Sequence, residues 1–393
     1  MKKKILFMMI NMNVGGTERA FLNLLKCLPK EKYQITLLLL QKKGDFYQEI
    51  PKHVTVKTMK EFPEIGPLIS YNPKEKIKRC IRNRDYNQAI SLIYLHLLLK
   101  IAKDRRILFK KVFKRVPKLA DTYDIAVAYA GPMDIISYYI AMRVDAKEKY
   151  QYIHFDVDQI GFDARFAKRI YKFFTKIYSV SDIASGHLKK RLPSLSHMIV
   201  TKENDIPFFE INHLAFKKDV FSPVKMIRLV TIARLSKEKG PDLAVKIMAQ
   251  LRKVKQDVIW HWVGDGEWRP YIEQMIADHQ LEKSFILEGV KKNPYPYIRQ
   301  GDIYVQPSRH EGYCLTLAEA RALNKPIVTT ATSGALTQLS HGKTGLITDI
   351  NDQSLLNTII ELIENPDLRK TLSKTLQEIN STHSSRDPFE ASG

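Results

Sequence analysis

Short runs of consecutive apolar residues recur along the chain, each followed by a turn and then by apolar residues at helical spacing. KKILFMMI (3–10), a Gly-containing turn, LNLLKCL (22–28) and YQITLLLL (33–40) read as strand, helix, strand, the opening of a parallel α/β sheet. DIAVAYA (124–130), KYQYIHF (149–155) and KIYSVS (176–181) continue as strands. The stretch 201–223 mixes polar and apolar residues without a clear period and reads as a connection. A second series starts at MIRLVTIA (226–233). It runs through DVIWHWVG, SFILEGV, DIYVQPS, PIVTT and GLIT, with helical stretches between. The pattern predicts two doubly wound, Rossmann-like domains facing a central cleft: 1–205, a linker at 206–225, and 226–381. Ligands of such sheets bind outside the carboxyl ends of the strands. Residues 382–393 carry no apolar pattern and are expected to be a disordered tail.

Length agrees, since 393 residues suffice for two medium domains with separate cores. Cys27, Cys80 and Cys314 lack metal-ligand spacing and suggest a reducing compartment without a disulfide framework. The longest apolar candidate, 89–102, is too short to span a bilayer and includes His96 and Lys100. The formal charge is +21, which leaves nucleic acid, an anionic membrane or phosphorylated substrates as partners. Segment 74–118 concentrates it: 15 Lys/Arg against three acids, a net of +12. It lacks the aromatic interleaving of a base-stacking platform, so nucleic acid is not expected. An apolar middle with basic flanks fits helices resting on an anionic surface, or a solvated basic face over an ordinary core helix.

The candidate chemistry gathers in loops that follow strands. In SRHEGYCLTLAEARAL, Glu311 stands before Gly312 in a loop, and Glu319, with seven residues between them, stands inside a helix. Glycine there admits a ligand close to the backbone, and the helix start favours an anion. Glu319 also completes a T-L-A-E capping-box pattern with Thr316, and Glu311 alone fits a solvated loop charge. Arg234 and Lys239 follow another strand of the same domain, where two cations suit a diphosphate; singly, each fits an ordinary surface charge. Gly15 and Gly16 lie between the first strand and first helix, a pairing common in plain turns.

Taken together, VGGTE (14–18), ARLSKEKG (233–240), VGDGE (263–267), PSRHEGYCLTLAEARALNKPIV (307–328) and GKTGLI (342–347) resemble the retaining GT-B glycosyltransferases of the family-four, or group 1, type. The likeness runs from residue 5 to about residue 380. It implies the GT-B architecture and a nucleotide-diphosphate hexose donor, with UDP as the nucleotide. By the resemblance, Glu311 would hydrogen-bond hydroxyls of the donor hexose and Glu319 the two ribose hydroxyls. A carboxylate suits both tasks because it only accepts and a vicinal diol offers two donors. Gly15 and Gly16 would form the facing wall. Main-chain N–H groups of Gly312, Tyr313, Cys314 and Leu315 would meet the donor sugar and diphosphate. Arg234 and Lys239 would stabilise the leaving diphosphate, making a metal dispensable. His154 matches a histidine placed beside the donor sugar; the alternative is a histidine satisfied at a strand end. The D-V-D of Asp156 and Asp158 invites a metal reading, set aside because the remaining motifs are metal-independent. The Cys314 side chain is read as packing. The family usually ends with a helix that crosses back onto the first domain; here the chain turns polar after Asn380, so that helix is expected to be absent or replaced.

The expectation is a cytoplasmic enzyme, peripheral at the inner face of the cell membrane, with no cofactor. It would move a hexose to a growing surface glycan or lipid-linked acceptor such as a capsule precursor. A non-catalytic accessory subunit and a basic nucleic-acid-binding protein are the rival readings.

Overall fold

The computed structural model describes residues 2–69, 73–87, 89–90, 93–94, 97, 104–114, 116–223, 225–381 and 389. The expected tail 382–393 lies outside the described residues except for Phe389, as do His96, Lys100 and Arg115 of the basic segment. The chain forms two compact units, Met1–Lys202 and Glu203–Gly393.

The first unit holds a seven-stranded parallel sheet. Its strands are β1 (Lys3–Met9), β2 (Tyr33–Leu39), β3 (Thr55–Thr58), β4 (Thr122–Ala128), β5 (Asp145–Ile153), β6 (Lys176–Ser179) and β7 (Ile199–Thr201). They lie in the order β3-β2-β1-β4-β5-β6-β7. The chain winds outward from β1 in one direction, then returns to β4 and winds in the other, so the order reverses between β1 and β4. Phe7 of β1, Phe21 of the helix Gly16–Cys27 and Tyr129 after β4 pack edge to face with centroids 5.1–5.9 Å apart. Each such pair contributes about 0.5–1.5 kcal/mol beyond its buried area. The helix Arg106–Phe113 buries Leu108, Phe109, Val112 and Phe113 while Lys110 and Lys111 stay exposed. That part of the basic segment is an ordinary core helix with a charged outer face.

The second unit holds a six-stranded parallel sheet: β8 (Ile227–Ile232), β9 (Val258–Val263), β10 (Phe285–Gly289), β11 (Ile303–Gln306), β12 (Ile327–Thr330) and β13 (Leu346–Thr348). The order is β10-β9-β8-β11-β12-β13, with the reversal between β8 and β11. Trp260 and Trp262 of β9 are fully buried, and their indole N–H groups donate to Thr231 Oγ1 and the Ala233 carbonyl at 3.0 and 2.9 Å. Those bonds pin the chain as it leaves β8.

Two expectations need correction. Residues 206–225 are not a bare linker: the helix Phe208–Ala215 buries Ile211 and Ala215 in the second unit, and the units divide at 202/203. The strand expected at 149–155 is β5, which starts four residues earlier and ends before His154. Its first half, DAKEK, is mostly exposed and therefore shows no apolar run. The last helix, Pro366–Ser381, buries Leu372 and Leu376 in the second unit, and Asn380 donates to the Arg321 carbonyl at 2.8 Å. No described helix is long and apolar enough to cross a membrane.

Candidate functional site

Arg234 and Lys239 follow β8; Glu311 to Leu315 follow β11. The two loops therefore flank the place where the second sheet reverses its order, the usual ligand position in a doubly wound sheet. Their approach is tight. Gly240 has φ +69, and a Cβ there would stand 2.1 Å from the Pro307 carbonyl oxygen, so only glycine fits. Arg309 donates both guanidinium ends to Asp242 at 2.8 Å, and its backbone N–H donates to the Glu238 carbonyl at 2.7 Å. A bidentate pair of this kind fixes geometry as well as adding energy. VGDGE braces the loop from the other side, since a Cβ on Gly266 would stand 2.3 Å from the Leu235 carbonyl oxygen.

This stapling places Lys239 Nζ 2.6 Å from Glu311 Oε1. Their side chains are 20% and 8% exposed. Burial opposes the charge on Lys239, but the neighbouring Glu311 carboxylate outweighs it and the pKa is raised. Glu311 Oε1 also accepts from Ser308 at 2.8 Å, Ser308 accepts from Gln306, and Gln306 accepts from Tyr304. Gln306 and Ser308 are buried, so a continuous polar chain orients the carboxylate from beneath. Arg234 is more open, 63% exposed, and pairs with Glu238 at 3.1 Å.

The helix Leu315–Ala322 begins after Cys314, which has φ 65 and ψ 81. A non-glycine residue in this left-handed region costs on the order of 1–3 kcal/mol and calls for support. Gln338 supplies it, donating to the carbonyls of Tyr313 and Cys314, and Gly334 N donates to the Glu311 carbonyl at 3.1 Å. The loop Gly312–Cys314 is thus held rigidly at a helix start whose N–H groups suit an anion. Burial, with Glu311 adding, holds the Cys314 thiol far above its usual pKa and disfavours the thiolate; Tyr313 donates to Glu203 at 3.1 Å.

Glu319 is 3% exposed and its Oε1 accepts from the Tyr295 hydroxyl at 3.2 Å. Cys314 rather than Thr316 occupies the N-cap, so T-L-A-E does not fill the capping-box positions. Tyr304 lies within electrostatic reach of both Glu311 and Glu319.

Gly15, Gly16 and His154 belong to the first unit. Gly15 is the N-cap of Gly16–Cys27, and a Cβ on Gly16 would meet nothing within 4 Å. Neither glycine has a positive φ, and a Cβ on Gly15 would stand 2.4 Å from Glu18 Oε2, so only Gly16 is open after β1. His154 is buried, donates from Nε2 to the Tyr129 carbonyl at 2.5 Å, and packs on the Tyr129 and Tyr152 rings. Burial lowers its pKa to about 4, so the ring is neutral near pH 7. The D-V-D pair gathers a residue that the sequence did not single out. His187 Nδ1 lies 2.9 Å from both oxygens of Asp156, Arg191 donates to Asp158 at 2.7 Å, and the candidate ligand atoms of Asp156, Asp158 and His187 lie within 4.8 Å of one another. The three side chains are a possible metal-ligand group, and each carboxylate already has a cationic or hydrogen-bonding partner.

The residues around Lys239 and Glu311 fall inside a recognised stretch: 214–378 match the family model described as Glycosyl transferases group 1. An alignment of 96% of this chain with 95% of HepE from Anabaena, solved in complex with UDP and glucose, has a TM-score of 0.69 at 18% identity. The fold is GT-B. Among curated relatives, an uncharacterized glycosyltransferase of Methanocaldococcus jannaschii is 24% identical over 246 residues, which are 53% of this chain and 61% of that protein. A putative colanic acid biosynthesis glycosyltransferase of Salmonella typhimurium is 24% identical over 211 residues, 51% of each chain. The chain therefore spans between half and two thirds of the length of these two relatives.

Proposed function

We propose that this GT-B protein is a retaining glycosyltransferase that moves a hexose from a UDP-sugar to a surface glycan or lipid-linked acceptor. The observation that carries the reading is the Lys239–Glu311 pair, held by stapled loops beside the order reversal of the second sheet. Lys239 and Arg234 have the charge to offset a leaving diphosphate. Fixed charges of this kind contribute about 3–4 kcal/mol to a transition state. Glu311 has the acceptor capacity for sugar hydroxyls, and buried Glu319 that for a ribose diol. The match of 214–378 to Glycosyl transferases group 1 covers all four residues. HepE, solved in complex with UDP and glucose, supports the donor class.

No metal is required in this mechanism, because cations of the chain do the neutralising. We further assign the enzyme to the cytoplasm, at an anionic membrane face. The exposed Tyr86, Ile90, Tyr94 and Leu97 recur every three or four residues within the basic segment and support that placement.

The test is a screen of nucleotide-sugars for binding, slow hydrolysis and transfer, with product stereochemistry read by NMR. One UDP-hexose should be turned over with retention, and Glu311→Ala should abolish transfer. Binding of no nucleotide-sugar would remove the proposal. Activity lost in EDTA and restored by manganese would shift attention to Asp156, Asp158 and His187.

A further inference from the structure

Glu311 has two carboxylate oxygens, and the protein engages one of them. Lys239 Nζ and Ser308 Oγ both lie on Oε1, at 2.6 and 2.8 Å. Among the described residues no donor reaches Oε2.

The asymmetry traces back to a buried glutamine. A carboxylate only accepts, so the Ser308 hydroxyl gives its one proton to Glu311. Toward its other neighbour Ser308 can then only accept, and Gln306 Nε2 donates to it at 2.8 Å. With its N–H facing Ser308, the Gln306 amide turns Oε1 the opposite way. There Tyr304 donates to it at 2.7 Å and Thr316 at 3.3 Å. Every proton in the chain therefore points toward Glu311. A carboxamide suits this branch point because it offers a donor on one side and an acceptor on the other. A glutamate would accept on both sides, and an apolar side chain would do neither.

The surroundings hold that direction. Tyr304, Gln306 and Ser308 are fully buried, so bulk water does not compete for these bonds. Strand β12 fixes the backbone beside them: Thr329 Oγ1 donates to the Gln306 carbonyl at 3.2 Å, and Thr330 Oγ1 donates to the Ser308 carbonyl. Thr316 stands in the first turn of the helix Leu315–Ala322, so the chain also ties the carboxylate to the helix that carries Glu319.

We propose that Gln306 is a positioning residue: by holding Ser308 as a one-way donor, it commits Oε1 of Glu311 to the protein and leaves Oε2 for the hydroxyls of a ligand. That this ligand is the hexose of a UDP-sugar rests on the transferase reading; the one-way chain does not.

The full chain is titrated by calorimetry with UDP and with UDP-glucose, UDP-galactose and UDP-N-acetylglucosamine. The affinity of the best UDP-sugar divided by that of UDP isolates the hexose. Ser308→Ala should lower this ratio about tenfold, the loss of one hydrogen bond to a charged group. Gln306→Met should lower it about threefold, because the Ser308 hydroxyl is then free to turn away. Added to Ser308→Ala, Gln306→Met should lower it no further, since Gln306 reaches Glu311 only through that hydroxyl. Gln306→Glu keeps the acceptor for Tyr304 and Thr316 but draws the Ser308 proton toward itself, so it should lower the ratio at least as much as Gln306→Met. Affinity for UDP itself should stay within about twofold in every variant, which reports that each is folded. Equal weakening of UDP and UDP-sugar, effects that multiply in the double variant, or a wild-type ratio in Gln306→Glu would overturn the proposal. A second arm needs no nucleotide: unfolding of the second unit is followed by its tryptophan fluorescence. Gln306→Met and Glu311→Gln should couple there, the double variant's unfolding constant departing about threefold or more from the product of the single effects. Independent effects would overturn the chain. Coupling in a protein that binds no UDP-sugar would keep the chain and discard the transferase reading.

Discussion

Replacing Lys239 by methionine removes the cation 2.6 Å from Glu311 and leaves a carboxylate only 8% exposed, with Ser308 as its remaining described donor. Breaking a buried pair from one side costs about 3–5 kcal/mol. The Lys239 side chain is 20% exposed, which places the effect at the low end, about 3 kcal/mol. For a unit of this size, at about 2–4 °C per kcal/mol, the midpoint should fall by roughly 6–12 °C. The assay is built in: all three tryptophans, Trp260, Trp262 and Trp268, lie in the second unit, so indole fluorescence follows its unfolding selectively. Lys239→Met/Glu311→Gln removes both charges, and its loss should be smaller than the sum of the single losses by about 0.5–3 kcal/mol. On the transferase reading, saturating UDP at about 100 times its Kd stabilises the wild type by about 2.7 kcal/mol, and Lys239→Met should lose most of that gain. A midpoint within about a degree of wild type would refute the energetic argument. An undiminished UDP shift in the variant would refute the contact with diphosphate.

Glu319→Ala should lower UDP affinity by tenfold or more in calorimetry, and Tyr295→Phe by less, because the phenol only orients the carboxylate; a fall in melting temperature alone would mean that Glu319 is structural. Arg234→Ala should reduce turnover by on the order of 10²-fold without lowering stability, since the side chain is 63% exposed; unchanged turnover would remove Arg234 from the mechanism. His154, at about 4 when folded against 6.5, makes the unfolded chain the stronger proton binder between those values, so it costs the first unit up to about 3 kcal/mol as pH falls from 6.5 to 4. Asp134, raised to about 6 from 3.8, acts in the opposite direction over nearly the same range, so His154→Gln should make the first unit more stable at pH 4.5 than at 7 by hydrogen exchange. Changing Lys110, Lys111, Lys114 and Arg115 to Gln should release the protein from anionic vesicles, at about 1 kcal/mol per charge; wild type that fails to sediment at low salt would end the membrane reading.

The interior strands were legible because both faces are covered: β1, β2, β8 and β9 read as continuous apolar runs. The edges were not. β3 and β7 close the two sides of the first sheet as four- and three-residue strands, and β3 has no buried residue. An edge strand needs only one partner, so its sequence need carry no apolar run. The helix Phe208–Ala215 was missed for a related reason: it buries only Ile211 and Ala215, too few to set a period.

The same logic separates the legible from the illegible parts of the site. Glu311, Lys239 and Arg234 stood out because they fall together in loops after strands of one sheet, with glycine and a helix start, within motifs that resemble one family. The residues that position them did not, because their signals lie far apart: Arg309 and Asp242 are 67 positions distant, and Gln306 and Ser308 read as strand-end polar residues. Yet these make the pair consequential. With its base fixed by Ser308 and its loop by Arg309, Glu311 has little freedom to follow a ligand. A molecule that engages Lys239 or Glu311 alone must break their 2.6 Å bond and strand the other charge in a buried place. An anion without a sugar satisfies only the lysine; a sugar without an anion satisfies only the glutamate. A molecule presenting both, correctly spaced, exchanges one buried pair for two new interactions. On the transferase reading, the pair would therefore act as a filter for ligands that carry hydroxyls and phosphate together, as a nucleotide-sugar does.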